Sequence, residues 1–150
     1  LGCNTIGHLG AGLMHIARTG DDTSGRRWER TRKMGINTLA FRLGQHRTFF
    51  DIDADWVGVT GEIPWELNRA WAELLSRSGT PFFASIQPDV LTSKQSAEMK
   101  GFFAAASVQE SGIEPIGEQY STAPDCWRTE NGEKLTFNWY ELDGATPDFL

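Results

Sequence analysis

The stretch His15-Ile16-Ala17-Arg18-Thr19-Gly20-Asp21-Asp22-Thr23-Ser24 carries the strongest signal for the fold class and for function. A short apolar run delivers one arginine and then two adjacent carboxylates to a glycine-containing turn, and a helical pattern opens at Arg26. Parallel βα folds place their chemistry at this kind of strand-to-helix junction, because every strand ends on the same face. A carboxylate pair there can supply a general acid, a metal ligand or a helix cap.

The rest of the chain alternates short β-like runs with helical ones, which predicts a parallel sheet with crossover helices. Strands are predicted over residues 1–6, 16–19, 55–60 and 81–86, the last of them fully buried. Helices are predicted over residues 26–43, with a break before Gly35, and over residues 64–78 and 92–106. Thr92 and Gln95 have the spacing of a capping box at the start of the last helix.

The organisation changes after Gly112, where glycines and prolines break up a polar tail. Within this tail only residues 134–141 have the pattern of a strand. The pattern therefore predicts an α/β fold, with parallel βα units over residues 1–111 and an irregular, partly β extension over residues 112–150.

Composition limits the classes of function. The chain has 150 residues, of which 39% are hydrophobic and 23% charged, and its net charge is −6. This balance predicts one globular domain and no nucleic-acid partner, since phosphate binding needs a concentrated basic surface. No apolar run approaches the ~20 residues that span a bilayer, so no membrane segment is predicted. Cys3 and Cys126 are too few for a disulfide framework or a zinc site.

A second acidic cluster, Asp51-Ile52-Asp53-Ala54-Asp55, lies at the edge of a predicted strand. Alternating acids resemble a calcium loop, but the positions that require Gly and Glu hold Trp56 and Glu62, so only half of that signature is met and no metal site is predicted. The cluster is a solvated strand entry if the strand follows it, and a strand end if the strand is centred on residues 49–52. Trp56 beside these acids is either a core residue or a stacking surface for a sugar ring.

The segment Gly7-His8-Leu9-Gly10-Ala11-Gly12 resembles a phosphate-binding loop only superficially. Its glycine order is G-x-x-G-x-G rather than the dinucleotide order G-x-G-x-x-G, and no acidic residue follows at the required distance. No cofactor is therefore predicted.

Four segments in order resemble the second half of the α-galactosidase-like (β/α)₈ barrels, glycoside hydrolase families 27 and 36 and their relatives. They are Leu1-Gly2-Cys3, Arg18-Thr19-Gly20-Asp21-Asp22-Thr23, Asp53-Ala54-Asp55 and Gly79-Thr80-Pro81-Phe82-Phe83-Ala84-Ser85. The resemblance covers roughly residues 1–108 and implies that the chain forms strands five to eight of a (β/α)₈ TIM barrel. It implies a retaining glycoside hydrolase that acts on α-linked sugars.

The resemblance also implies a role for each matching residue. Asp22, four residues after Arg18, corresponds to the general acid/base, which leaves Asp21 as a helix cap or as a neighbour that tunes the pKa. The residues implied to contact the carbohydrate are Cys3, Arg18, Asp53, Asp55 and Trp56.

The nucleophile that the family carries in a Lys-x-Asp motif is missing, because that motif does not occur in this sequence. A retaining glycosidase needs both carboxyl groups, so we expect this chain alone to be inactive. Strands five and eight would present open edges, which are expected to pair with an N-terminal half or with a second copy. Two alternatives stay open: a non-catalytic carbohydrate-binding or interaction module, and a flavodoxin-like binding protein suggested by the loop over residues 7–12.

Overall fold

The computed structural model of the chain describes residues 8–108, 112–117 and 121–140. Its first part contains two pairs of short parallel strands connected through helices. Strand β1 (Ile16–Arg18) pairs with β2 (Asp51–Asp53), and β3 (Val57–Val59) pairs with β4 (Ala84–Ile86). Since β2 and β3 follow one another directly, residues 51–59 form an interrupted central strand with β1 beside its start and β4 beside its end. Parallel pairing was predicted, and it is confirmed for these four strands.

The connection from β1 to β2 is one helical segment with three parts. It consists of α1 (Trp28–Arg30), a π-helical stretch (Thr31–Ile36) and α2 (Asn37–Arg42), followed by a short 3₁₀ turn over Leu43–Gln45. The break that the sequence predicts before Gly35 is therefore a change of helical pitch. Gly35 lies where a Cβ atom would come within 3.0 Å of the Trp71 ring, so this helix packs closely against the next one.

The next two helices were predicted correctly. Helix α3 (Trp65–Arg77) follows Pro64 and ends before Gly79, which has a φ of +74°. Helix α4 (Ser93–Val108) packs against α3 and begins after the predicted capping box. There the Thr92 backbone N–H donates to Gln95 Oε1 at 2.9 Å and the Gln95 N–H donates to Thr92 Oγ1 at 3.3 Å.

The prediction that residues 81–86 form a fully buried strand is wrong. Within β4 no residue is buried, and the flanking Phe83 is 44% exposed. Of the residues described in helix α4 only Met99 is buried, and Phe103, whose ring meets that of Phe82 edge to face with 4.8 Å between centroids, is exposed. An apolar run predicts burial only where another element covers it.

The tail contains more β structure than the single strand predicted over residues 134–141. Strands β5 (Ile113–Ile116), β6 (Cys126–Thr129) and β7 (Lys134–Thr136) form an antiparallel sheet in the order β5-β6-β7. The sheet also joins the main core: Trp127 and Trp139 are fully buried, and Trp28 Nε1 donates to the Trp139 carbonyl at 2.7 Å. Over the residues described, the tail is partly β and packs against the main core.

The described residues thus combine helices, two parallel strand pairs and one antiparallel sheet, and none of these sheets closes. Among them, no helix has the length and apolar character needed to cross a membrane. The half-barrel stays a prediction. With β2 and β3 counted as one interrupted strand, the described residues supply three strands of the parallel part, and the predicted first strand over residues 1–6 lies outside them.

Candidate functional site

The carboxyl ends of β1 and β2 bring four of the sequence-predicted site residues together. Arg18 ends β1, and its Nη1 atom lies 2.6 Å from Asp22 Oδ1 and 3.3 Å from Asp55 Oδ1. Strand β2 ends at Asp53, two residues before Asp55. The acidic cluster is therefore a strand end, which is the alternative that places Asp53 and Asp55 beside Arg18.

The two carboxylates that contact Arg18 differ sharply in exposure. The side chain of Asp22 is 52% exposed, whereas that of Asp55 is 3% exposed. Asp55 Oδ2 accepts hydrogen bonds from the Thr23 backbone N–H at 2.7 Å and from the Thr23 hydroxyl at 3.1 Å. Asp22 is therefore available to a ligand from solvent, while Asp55 is occupied by protein donors.

Asp53 is buried beside this ion-pair network. Its Oδ1 atom accepts the Asp55 backbone N–H at 2.8 Å, and its carbonyl accepts the Thr19 N–H at 3.0 Å, which continues the pairing of β1 with β2. Burial raises the pKa of the Asp53 carboxyl, and the nearby charge of Asp55 raises it further, against the lowering effect of the Asp55 N–H and of Arg18. Asp53 is therefore the carboxyl of the cluster that the surroundings push toward its protonated form.

The turn after β1, residues 19–25, is called here the β1 turn, and it is tied directly to the central strand. Ser24 and Gly25 both adopt positive φ, at 68° each. A Cβ atom placed on Gly58 would lie 2.4 Å from the Gly25 Cα atom, so the two backbones touch in the middle of β3. The Thr60 hydroxyl donates to the Gly25 carbonyl at 2.7 Å. These contacts hold the segment that carries Asp22 against β3, which begins two residues after Asp55.

Asp21 does not cap the following helix, so the capping interpretation is wrong. Helix α1 begins at Trp28, and its N-cap residue, Arg27, makes no side-chain capping bond. The Asp21 carboxylate instead accepts the Asp22 N–H at 2.8 Å and pairs with Arg30 Nη2 at 2.9 Å. These two interactions, the N–H first, lower the pKa of Asp21. Asp22 is the carboxylate of the pair that faces Arg18.

The remaining predicted contact residues are Trp56 and Cys3. Trp56 is half-buried, and its carbonyl accepts the Thr23 hydroxyl at 3.0 Å. Cys3 lies outside the described residues. Thr23 was not singled out from the sequence, because its partners lie 32 and 33 residues away: its N–H donates to Asp55 Oδ2, and its one hydroxyl proton is shared between Asp55 Oδ2 and the Trp56 carbonyl.

Two cavities lie near the helices that follow β1. One, of about 480 Å³, is lined by Thr19, Gly20 and Asp21 on the strand side and by residues of the π-helical stretch and α2 on the other. The other, of about 230 Å³, is lined by Arg32, Lys33, Asn37, Thr122, Ala123 and Tyr140. Neither is lined by Asp22 or Asp55, so the ion-pair cluster faces solvent at the strand ends and does not sit at the bottom of either cavity.

Chemically, the cluster offers one exposed carboxylate, Asp22, paired with a guanidinium, two buried carboxyls, Asp53 and Asp55, and a half-buried tryptophan. No group of three or more metal-ligating side chains occurs within residues 8–108, 112–117 and 121–140. Comparison of the chain with models of protein families, with curated proteins and with solved structures found no match.

Proposed function

We propose that the chain is part of a retaining glycoside hydrolase that acts on α-linked sugars, with Asp22 as the acid/base. The observation that supports this proposal best is the shared ion pair of Arg18 with Asp22 and Asp55 at the ends of two adjacent parallel strands. Such strand ends are where parallel βα folds collect catalytic groups. The resemblance on which the proposal also rests pairs the same arginine with the same acid.

In this proposal each residue has a stated task. Asp22 gives a proton to the leaving oxygen as the glycosidic C–O bond breaks and a nucleophilic carboxylate bonds to the sugar. Asp22 then takes a proton from the water that hydrolyses this glycosyl ester. The nucleophile is a carboxylate outside this chain, since no Lys-x-Asp motif is present in it. The side chains of Arg18 and Trp56 contact the sugar.

The charge of the cluster favours uncharged sugars. Arg18 and Arg30 are the cations that pair with the acids of the cluster, and the acids are Asp21, Asp22, Asp53 and Asp55. All 14 lysine and arginine residues of the chain are among the described residues, so the residues outside the description contribute no further lysine or arginine to the cluster. We expect a uronic acid to be repelled by the unbalanced negative charge.

The direct test is sugar binding to the chain followed by NMR. Methyl α-galactoside is expected to shift the Trp56 indole and Arg18 signals, and galacturonate is expected not to. Asp22→Asn should weaken binding at least tenfold, whereas Asp21→Asn should leave it within twofold because that carboxylate pairs with Arg30. No shift with any neutral α-glycoside, or equal effects of the two substitutions, would contradict the proposal.

A non-catalytic carbohydrate-binding module is the second candidate, and the missing nucleophile motif favours it. This function requires the same sugar contacts and no proton transfer. Binding of methyl α-galactoside that is unchanged in Asp22→Asn would support it over the hydrolase. We expect no turnover of an aryl α-galactoside by the chain alone in either case, and turnover that is lost in Asp22→Asn would show that the nucleophile is not missing.

A further inference from the structure

The Asp55 carboxylate is the junction at which β1, the β1 turn and β2 meet. Its Oδ1 atom lies 3.3 Å from Arg18 Nη1, at the end of β1. Its Oδ2 atom accepts the N–H and the hydroxyl of Thr23, within the β1 turn. Both oxygens are therefore occupied by donors from the segment that carries Asp22.

The backbone at this junction is also set in an uncommon conformation. Asp55 has a φ of +70°, in the left-handed region that side chains other than glycine, asparagine and aspartate rarely adopt. The hydrogen bond from the Asp55 N–H to Asp53 Oδ1, at 2.8 Å, closes an Asx turn that holds this conformation. The turn aims the Asp55 carboxylate back toward Thr23, and away from the solvent that Asp22 faces.

We infer that Asp55 is a positioning residue, which holds Arg18 and the β1 turn so that Asp22 and the guanidinium face the ligand in a fixed geometry. A direct sugar contact needs an open oxygen, whereas the Asp55 side chain is 3% exposed and accepts three donors. Asp55 therefore acts through Arg18 and Thr23 and does not touch the sugar. The ligand in this inference is the one under the proposed function, but the geometry of Arg18 and Thr23 can be tested without it.

Asp55→Asn is the sharpest variant. Asparagine tolerates the positive φ as well as aspartate does, so the backbone preference is kept. Its amide presents one oxygen and one NH₂ group, and the NH₂ group must face either Arg18 or the Thr23 donors. One donor then meets another, so one side of the junction is lost while the size of the side chain is unchanged. Asp51→Asn, at the opposite end of β2, is the matched control.

Two NMR signals report on positioning directly. In the wild-type protein the Thr23 amide proton is expected to resonate at low field and to exchange slowly, because it donates to a buried carboxylate at 2.7 Å. The Arg18 guanidinium is expected to give restricted, resolvable Nη signals. Asp55→Asn should speed Thr23 exchange at least tenfold or average the Arg18 signals, with the indole signals of Trp71 and Trp139 retained as a measure of the fold. Asp51→Asn should change none of these.

Binding of methyl α-galactoside then separates positioning from direct contact. We expect Asp55→Asn to weaken binding about tenfold, and Arg18→Gln combined with Asp55→Asn to lose less affinity than the two single losses added together, since Asp55 acts in part through Arg18. Additive losses would mean that Asp55 contacts the sugar itself. Unchanged affinity together with lost Thr23 and Arg18 signals would reduce Asp55 to a structural residue.

Failure of the proposed function gives a different result. If the wild-type protein binds no sugar, retention of both signals in Asp55→Asn overturns the positioning role, and their loss supports it. If Asp55→Asn does not fold, Thr23→Val removes the hydroxyl donor and keeps the N–H bond. That variant should average the Arg18 signals partly, and fully unchanged Arg18 signals would contradict the inference.

Discussion

The β1 turn and helix α4 are both segments next to a parallel strand, but they are held to the rest of the molecule in opposite ways. The β1 turn contacts the central strand backbone to backbone at Gly25 and Gly58, and it donates hydrogen bonds to Asp55. Helix α4 buries Met99 alone among its 16 residues. Local sequence determines α4, whereas contacts across the fold determine the β1 turn, and the candidate site lies in the second kind of region.

The largest difference between the two regions should appear when the same substitution is made in each. Gly58→Ala is expected to lower the free energy of unfolding by about 3 kcal/mol, because the new methyl group meets backbone atoms that cannot turn aside. Gly101→Ala in α4 has no atom within 4 Å of its new methyl group and should raise stability by about 1 kcal/mol. Urea unfolding of both variants measures the two changes in the free energy of unfolding. Equal changes would contradict the proposed difference between the β1 turn and α4.

A substitution at Asp53 tests whether a buried charge in the candidate site lowers the stability of the protein near neutral pH. Because burial raises its pKa in the folded state, its contribution to stability is full below the unfolded value of 3.8 and is lost as the pH rises through the folded value. Asp53→Asn keeps the acceptor for the Asp55 N–H and removes the charge. The free energy of unfolding of the variant should exceed that of the wild type at about pH 7, by about 1.4 kcal/mol for each unit by which the pKa is raised. The two values should be equal near pH 3. A gain that does not vary with pH would argue against this cause.

Removal of the helix cap of α4 should have a smaller effect. Thr92→Ala deletes the hydroxyl that accepts the Gln95 N–H and is expected to cost about 1 kcal/mol. Because α4 has few buried contacts, we expect the loss to appear first as faster amide exchange in its opening turn, with little change around Asp55. Faster exchange in the β1 turn as well would show that the two regions unfold together.

His46 gives the smallest expected effect. Its Nε2–H donates to the Gly79 carbonyl at 3.0 Å, and its Nδ1 accepts the Ile52 N–H at 3.2 Å, an arrangement available to the neutral ring only. Burial lowers the pKa of His46, partly offset by the Gly79 carbonyl and by Asp51. Its stabilising contribution is therefore full above the unfolded value of 6.5 and is lost as the pH falls through the folded value.

The measurement for His46 is thermal unfolding across that pH range. We expect the wild-type midpoint temperature to fall as the pH drops from about 7 to about 5, and His46→Gln to flatten this part of the curve. The same slope in both proteins would assign the pH dependence to other groups.

Features set by nearby residues were predictable from the sequence, and those set by distant partners were not. The capping box of Thr92 and Gln95 was found as predicted, because both partners lie within one helical turn. The strand ending at Asp53 could be placed only as one of two alternatives, since its register depends on pairing with β1. The exposure of Phe83 was missed because an apolar run carries no information on what covers it.

The antiparallel sheet of the tail was missed for a related reason. Its strands have three or four residues each and one of them contains Pro115, so each is too short to show a clear periodic pattern in the sequence. For the site, Arg18 and Asp22 were selected by the family resemblance, and their ion pair was found only in the structure. The part played by Thr23 required the fold, because its partner Asp55 is 32 residues away.

The pitch of the π-helical stretch Thr31–Ile36 sets how the start of its helix is aligned with the tail sheet and with the candidate site. A π-helical turn holds about one residue more than an α-helical turn. If the same six residues took α pitch instead, everything before them would rotate by about 100° about the axis. Trp28 would leave Trp139, and Arg30 would leave Asp21. The pitch of this one stretch therefore fixes the position of the helix start relative to both the tail sheet and the candidate site.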